Sequence, residues 1–533
     1  MEHKTQKGYR VSIEPCPDRV QVIYKGCVLA DSNGTLIMRE TRLPPVYYFP
    51  REDVRERLLV RTDHKTYCPF KGNASYWSIS VNSAIADNAV WSYEEPFDEA
   101  SVLRNYLAFD WDSVEAWIVN EKALTVRPEA EVVSEANPFV EWLVDDAWKA
   151  NSSPDLLKSL ADTLNQNGFQ LSRLVLLLRT MNPQLFASSY TWQRTSDQVT
   201  EFQASHAGLQ TEAYRNSPFY PIINGEGGVR RRLEGPNPKL DFPVLAELLE
   251  EGATDYVAFP LKFSDGQINI LTMTSDRPGG FSIGELGQLY EILPNLSRIL
   301  EVHARQVSSL TLLQTYLGRN AGRKVMDGLI KRGDSERLHA VIYFTDLRGS
   351  TELSKTLKRE KYLECLDQFF DSVAGAVIDN GGEVLKFIGD AVLAIFVIDP
   401  PDEPKPEACR HALAAAREAL SRLAVVNAAR RKNGDAVLNS GTGLHRGGLT
   451  YGNIGTVKRL DFTVIGPAVN EASRIEDLSK ELGYPILLSQ AFAASVSEPL
   501  ISLGMFKLRG VVQENEIFTL ADLVNNDEQE VKS

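Results

Sequence analysis

At 533 residues, and roughly 150 residues per domain, the chain is long enough for three to four globular units, each able to bury its own core. Charged residues at 24% and hydrophobic residues at 43% exclude a disordered or fibrous chain. The 57 basic against 71 acidic side chains leave a formal charge of −14, which repels a polyphosphate backbone, so no nucleic acid partner is expected.

The cysteines (Cys16, Cys27, Cys68, Cys365, Cys409) are widely spread and show no C-x-x-C spacing, so neither a disulfide framework nor a cysteine zinc site is indicated. No run of 18 apolar residues occurs, and the start MEHKTQKGYR has no apolar core of a secretory signal. The expectation is a cytoplasmic protein without a transmembrane segment, receiving its signal inside the cell.

Residues 1–118 alternate aromatic and β-branched runs with turn formers, as in YKGCVLADSNGTLIM, and predict a small β-rich domain. The set PPVYYFP, TDHKTYCPFKGNASYW, AVWSY and YLAFDW resembles a small bacterial domain family of uncharacterised function. Asp63, His64, Tyr67, Cys68 and Lys71 could line a polar pocket, although aromatic packing with structural turns is the simpler account. A thiol-based role would require His64 and Cys68 in contact.

A linker is expected near residues 119–137, followed by helical patterns to about residue 179 and a mixed stretch to 281. Within it, TDYVAFPLKFSDGQINILTMTS predicts a hairpin with strands 256–263 and 268–274. Arg230, Arg231 and Arg232 form the densest basic cluster and read as a solvated loop. His206 and His303 are isolated and read as surface or packing histidines. Residues 138–282 resemble a GAF-type sensor through this coarse strand and helix pattern, and are the expected seat of an unknown small-molecule or protein effector.

Ser282 and Glu285 have the spacing of a capping box and predict a helix start. From Leu286 through Leu289, Leu293, Leu296, Leu300, His303, Val307, Leu310 and Gln314 to Leu317 the steps alternate three and four, the seam of a heptad repeat. Residues 283–320 are therefore either a coiled-coil-like linker joining two chains or an amphipathic helix on its own domain, with Pro294 marking a kink or a broken start. The tail NNDEQEVKS is predicted to fray.

The residues that carry chemistry lie at 338–522. HAVIYFTDLRGST is an apolar strand delivering Asp346 at its end, followed by Gly349, Ser350 and Thr351, whose backbone N–H groups could face phosphate oxygens. Residues 352–380 carry Leu353, Leu357, Leu363, Leu366, Phe370, Val373 and Val377 at helical spacings and read as core. GGEVLKFIGDAVLAIFV predicts two strands about Gly389-Asp390, so a second carboxylate sits at a hairpin tip. Were the two strands neighbours, Asp346 and Asp390 could jointly hold hard divalent ions such as Mg²⁺ or Mn²⁺.

The pattern continues with GTGLHRGGLTYGNIGT at 441–456 and DFTVIGPAVNEASRIEDL at 461–478. With these blocks in order, residues 338–522 resemble the catalytic domain of the class III nucleotidyl cyclases. The resemblance implies an α+β multidomain protein: a β-rich N-terminal domain, a GAF-like α/β sensor region, a helical linker and a ferredoxin-like cyclase domain. It implies that Asp346 and Asp390 bind two divalent ions per site, that Lys386 and Thr463 read the base, and that Asn470 and Arg474 orient the ribose and stabilise the transition state. Lys386, a donor, suits adenine N1, whereas guanylyl-type relatives carry an acceptor there, so ATP is the implied substrate. Thr463 departs from the Asp of many relatives and is similar to a bacterial Thr-type subset. Arg509 in FKLRGV is the nearest match to the family's triphosphate-binding basic residue.

The resemblance further implies a homodimer whose two sites each draw on both chains, catalysing in-line attack of the ribose 3′-oxygen on the α-phosphorus. Two alternatives stand beside an adenylate cyclase: a catalytically silent nucleotide-binding module and a guanylate cyclase.

Overall fold

The computed structural model describes residues 9–130, 137–400, 403–404, 406–509 and 514–524; the tail NNDEQEVKS and part of the expected linker lie outside the described residues. The chain divides into two compact units, Met1–Ser308 and Ser309–Ser533.

In the first unit, aromatic and β-branched alternation produces two antiparallel sheets over residues 11–124. One has seven strands, and its centre is the set Leu43–Pro50, Tyr106–Phe109 and Ala84–Ser92. The other has four, and its strands Ala116–Val119 and Lys122–Leu124 carry this β-rich region past residue 118, because Trp117 closes the core beside Val20, Val22 and Phe49. The imagined thiol pair does not form. His64 is exposed and packs edge-on against Tyr76, whereas Cys68 is buried and its thiol is pushed up to about 11 by burial.

The next sheet has six strands in the order Gln198–Ser205, Leu185–Gln193, Leu171–Arg179, Ile268–Ser275, Asp255–Lys262, Val229–Arg232, every neighbour antiparallel. The predicted hairpin is its Asp255–Lys262 and Ile268–Ser275 pair. The helical reading to residue 179 fails at Leu171–Arg179: an apolar run of that length fits a buried helix or a buried strand, and here it is a central strand. Helices Pro138–Asp145 and Ser153–Gln166 cover one face of this sheet.

The three arginines are not a solvated loop. They occupy strand Val229–Arg232, and buried Arg230 bonds Asp255 (3.0 Å), pairs with Glu99 (3.2 Å) and donates to the Pro69 carbonyl (3.2 Å). A buried guanidinium is tolerated here because its donors all meet acceptors.

The capping box forms as its spacing predicts: Ser282 N–H donates to Glu285 (2.7 Å) and Glu285 N–H to Ser282 Oγ (3.2 Å). The helix that follows, Ile283–Leu317, runs unbroken through Pro294. The seam splits in two. Leu286, Leu289, Leu293, Leu296 and Leu300 are spent in the core of their own unit, and His303 is buried, whereas Val307 is exposed. A seam available to a second chain can therefore begin only near residue 303.

The second unit is built on one sheet in the order Glu383–Ile388, Ala391–Ile398, Ser335–Leu347, Ser440–Thr456, Ile486–Ser489, Asn515–Leu520, Leu500–Phe506, with Arg459–Ile465 paired to Ser440–Thr456. The central strand alternates: Val341 and Tyr343 face helices Arg359–Asp379 and Glu407–Asn433, while Ala340 and Ile342 face the opposite layer with Ala468 and Ala472 of helix Pro467–Leu482. Of the residues read as core at 352–380, Leu363 is exposed; the others are buried or packed against the core. None of the helices among the described residues is long and apolar enough to cross a membrane.

His445, on the strand Ser440–Thr456, is buried, and burial pushes its imidazole down from 6.5 to about 4. It stays neutral in the fold and takes a proton in the unfolded chain, so it favours unfolding as pH falls from 6.5 toward 4 and is silent above that window. Urea unfolding between pH 7 and pH 4.5 should show the native chain losing up to about 3 kcal/mol more than His445→Leu.

Candidate active site

Asp346 lies one residue from the end of the strand Ser335–Leu347, paired with Ala391 on one side and Gly441 on the other. That register puts it beside the tip of the hairpin Glu383–Ile388 and Ala391–Ile398, where Gly389 turns at φ +66°, a conformation that favours glycine, and presents Asp390. The two carboxylates predicted from separate motifs are thus neighbours. Burial, and then the Asp390 carboxyl beside it, raise Asp346 above the ordinary carboxylate range, while Lys480 opposes the shift. Lys480 Nζ donates to Asp346 Oδ2 at 2.7 Å; Asp346 Oδ1 is buried and has no hydrogen-bond partner among the described residues.

Two carboxylates that repel each other, with one buried oxygen unpartnered and an ammonium drawn to the other, form an oxygen donor set that suits a hard divalent cation. Among the described residues no cluster of three or more His, Cys, Asp or Glu could hold a metal, so the pair would need substrate oxygens to complete a coordination shell.

Lys480 comes from helix Pro467–Leu482, which lies close against the strand Ser440–Thr456 because the strand is glycine-rich: a Cβ at Gly443 would stand 2.6 Å from the Ala472 carbonyl oxygen. Glu476 is buried on the same helix, 3.6 Å from Lys480, and burial pushes its carboxyl up to about 7. Lys480 and Glu476 were not among the residues singled out in the sequence. Their i, i+4 spacing gives only the signal of a solvated helical ion pair.

Lys386 is not a free strand lysine. It is ion-paired with Asp461, across from it on strand Arg459–Ile465. Asp461 and Thr463 alternate with buried Phe462 and Val464, so they share one face of the strand, the face on which Asp461 meets Lys386. Asp461 was not among the residues singled out in the sequence, although its two-residue offset from Thr463 on a strand carried the signal.

Asn470 and Arg474 stand four apart on the exposed side of helix Pro467–Leu482, where Arg474 bonds Asp477 (3.1 Å). Arg474 precedes Lys480 by six residues, about 9 Å along the axis and about a third of a turn around it, and the two cations flank Asp477, which lies 3.8 Å from Lys480. Gly349 opens helix Ser350–Thr356, with Ser350 buried and Thr351 exposed. Arg509 is exposed beyond the strand Leu500–Phe506, and Gly510 lies outside the described residues.

Residues 335–510 match the family described as the adenylate and guanylate cyclase catalytic domain, and residues 12–120 match a domain of unknown function, DUF427. The chain is 32% identical over 171 residues to an adenylate cyclase of Anabaena cylindrica, covering 32% of this chain and 33% of that protein. It is 30% identical over 191 residues to adenylate cyclase 1 of Rhizobium meliloti, covering 35% of this chain and 28% of that one. The match therefore spans about a third of each relative's length. Among solved structures, the adenylyl cyclase CyaB of P. aeruginosa aligns at 29% identity and TM-score 0.32, over 34% of this chain and 94% of that one. The guanylyl cyclase Cya2 aligns at 27% identity and TM-score 0.30, over 34% and 91%. Residues 335–510 are thus similar to the cyclase catalytic domain, and residues 12–120 to DUF427.

Proposed function

We propose that the protein is an adenylate cyclase, converting ATP to 3′,5′-cyclic AMP and pyrophosphate at sites shared by two copies of the chain. The observation that carries this reading is the meeting of Asp346 and Asp390, with a buried carboxylate oxygen left without a hydrogen-bond partner.

In this reading Asp346 and Asp390 would hold Mg²⁺ or Mn²⁺, which when bound supply Lewis-acid activation of the 3′-hydroxyl and neutralise phosphate charge. Every other task falls to the chain. The 3′-oxygen attacks the α-phosphorus, the bond to the β-phosphate oxygen breaks, pyrophosphate leaves, and the hydroxyl proton goes to solvent. Such a transfer requires positioning and charge neutralisation and no covalent intermediate. Arg474 meets the charge growing on the α-phosphate, Asn470 orients the ribose, and the amides after Gly349, with Arg509, meet the remaining phosphates.

Lys386 and Asp461 together suit adenine: the ammonium donates to N1 and the carboxylate accepts from the N6 amino group, with the Thr463 hydroxyl as a second acceptor. Guanine carries a donor at N1 and a carbonyl at C6, which inverts both partners. The acceptor that Thr463 only partly supplies is thus available two residues earlier. Turnover of ATP is expected to exceed that of GTP, and Lys386→Glu should lower the ATP-to-GTP ratio of kcat/KM by at least about a hundredfold. Assays with both nucleotides, across protein concentrations, check this. A native preference for GTP would overturn the substrate assignment.

In this reading Arg474, exposed on helix Pro467–Leu482, completes a site with the carboxylates of a partner in a homodimer. The six-stranded antiparallel sheet with a helix leaving its end supports the GAF-type sensor reading of residues 138–282, and the layered sheet of the second unit supports the ferredoxin-like reading. In the regulatory part of this proposal an effector acts through the helix Ile283–Leu317. Deleting residues 1–320 should then change the specific activity, and an unchanged rate would argue against it.

A further inference from the structure

The β-rich N-terminal region contains a cavity of about 200 Å³ walled by Tyr48, Tyr76, Trp91 and Tyr93, with Lys71 and Glu40 among its lining residues. Lys71 and Glu40 are ion-paired at 3.0 Å, and their side chains are only 12% and 9% exposed. Glu40 is fully committed: Oε2 accepts from Lys71 and Oε1 from the Tyr9 hydroxyl.

Lys71 is not. Of its three N–H bonds one goes to Glu40 and one makes a long contact to Met38 Sδ (3.8 Å), and the ammonium lies over the rings of Phe70 (5.2 Å) and Tyr93 (5.7 Å). A buried ion pair gains little over an apolar pair of the same volume, so folding alone gives little reason for one here. A pocket with aromatic walls and a cationic donor at its base has the form of a ligand site: the rings take an apolar body and the ammonium a negatively charged acceptor. The volume lies below the about 300–1,000 Å³ that drug-sized ligands occupy, which restricts the ligand to a small molecule.

We propose that this cavity is a binding site for a small carboxylate with an apolar or aromatic body, its carboxylate on Lys71 and its body among Tyr48, Tyr76, Trp91 and Tyr93. The partners of the cavity's ion pair, and residues beside it in sequence, reach the helix Ile283–Leu317. The Tyr9 ring that serves Glu40 lies on Gly287, where a Cβ would stand 2.2 Å from Tyr9 Cε1. Arg42, two residues after Glu40, is paired with Glu291 at 2.7 Å, and the Tyr290 hydroxyl donates to the Tyr67 carbonyl at 2.7 Å. A shift of the Lys71–Glu40–Tyr9 chain on binding is therefore felt at residues 287–291. This site does not depend on the cyclase reading, and its test is separate.

The test uses the full chain, with isothermal titration of benzoate and cyclohexanecarboxylate and with benzamide as the uncharged control. At least one carboxylate should bind saturably, one per chain, and benzamide at least tenfold more weakly. Lys71→Met should weaken binding at least tenfold. Because that variant leaves Glu40 buried without its partner, Val46→Trp provides the second arm: it fills the cavity from its wall, keeps the ion pair, and should abolish binding while melting as a folded protein. Hydrogen exchange at residues 285–292 should slow on addition of the binding carboxylate. Absence of saturable binding by either carboxylate up to about 1 mM, binding of benzamide equal to benzoate, or binding retained in Val46→Trp would each overturn the proposal.

Discussion

Asp346→Asn is expected to lower cyclic nucleotide formation at least about a thousandfold, the effect of removing several kcal/mol of charge stabilisation from the transition state. The substitution keeps the side-chain volume and removes one of two like charges held side by side. Its folding should be as good as that of the native chain, even though Lys480 loses its 2.7 Å partner, because Lys480 keeps Glu476 at 3.6 Å and Asp477 at 3.8 Å. Asp390→Asn should behave alike from the other side of the pair. Turnover and melting temperature measured on the same preparations separate loss of chemistry from loss of fold. Turnover within a few fold of the native value in either variant would contradict the assigned role.

Arg474→Ala is expected to cost about a hundredfold to a thousandfold in kcat with a smaller change in KM, since its partner charge develops only in the transition state. The side chain is exposed and, among the described residues, held by Asp477 (3.1 Å), an arrangement whose loss has little consequence for stability. Arg474→Lys should recover only part of the rate, because an ammonium cannot reproduce the planar fork on two phosphate oxygens. Steady-state kinetics on the three proteins check both statements. Equal losses in KM and none in kcat would make Arg474 a ground-state binding residue.

Much of the site was legible because its residues sit in short local patterns. An apolar strand ending in Asp346 and a two-residue turn at Gly389-Asp390 each follow from the period of one element, whereas Asn470 and Arg474 were singled out only through the family resemblance. What the sequence could not supply were partners set by tertiary packing. Lys480 reaches Asp346 only because glycines on the strand Ser440–Thr456 let its helix press close, and Asp461 meets Lys386 through a contact between strands that share no ladder hydrogen bonds.

The same limit explains the misread elements. Leu171–Arg179 is apolar throughout and becomes a strand because the strands Leu185–Gln193 and Ile268–Ser275 pair on either side of it. The heptad from Leu286 to Leu317 has the periodicity of a seam, yet periodicity cannot tell a core within one chain from a partner chain. Its first half is buried against its own sheet. The arginines at 230–232 looked solvated because Asp255 and Glu99, which neutralise them, are far away in sequence.

The central claim is that one chain supplies the carboxylates and another the transition-state residues. Mixing inactive Asp346→Asn chains with inactive Arg474→Ala chains tests it most directly. With free exchange of subunits half the dimers are mixed, and each has one of its two sites intact, so the mixture should regain about a quarter of native turnover. A mixture as inactive as its components, under conditions where exchange is demonstrated, would contradict a shared site.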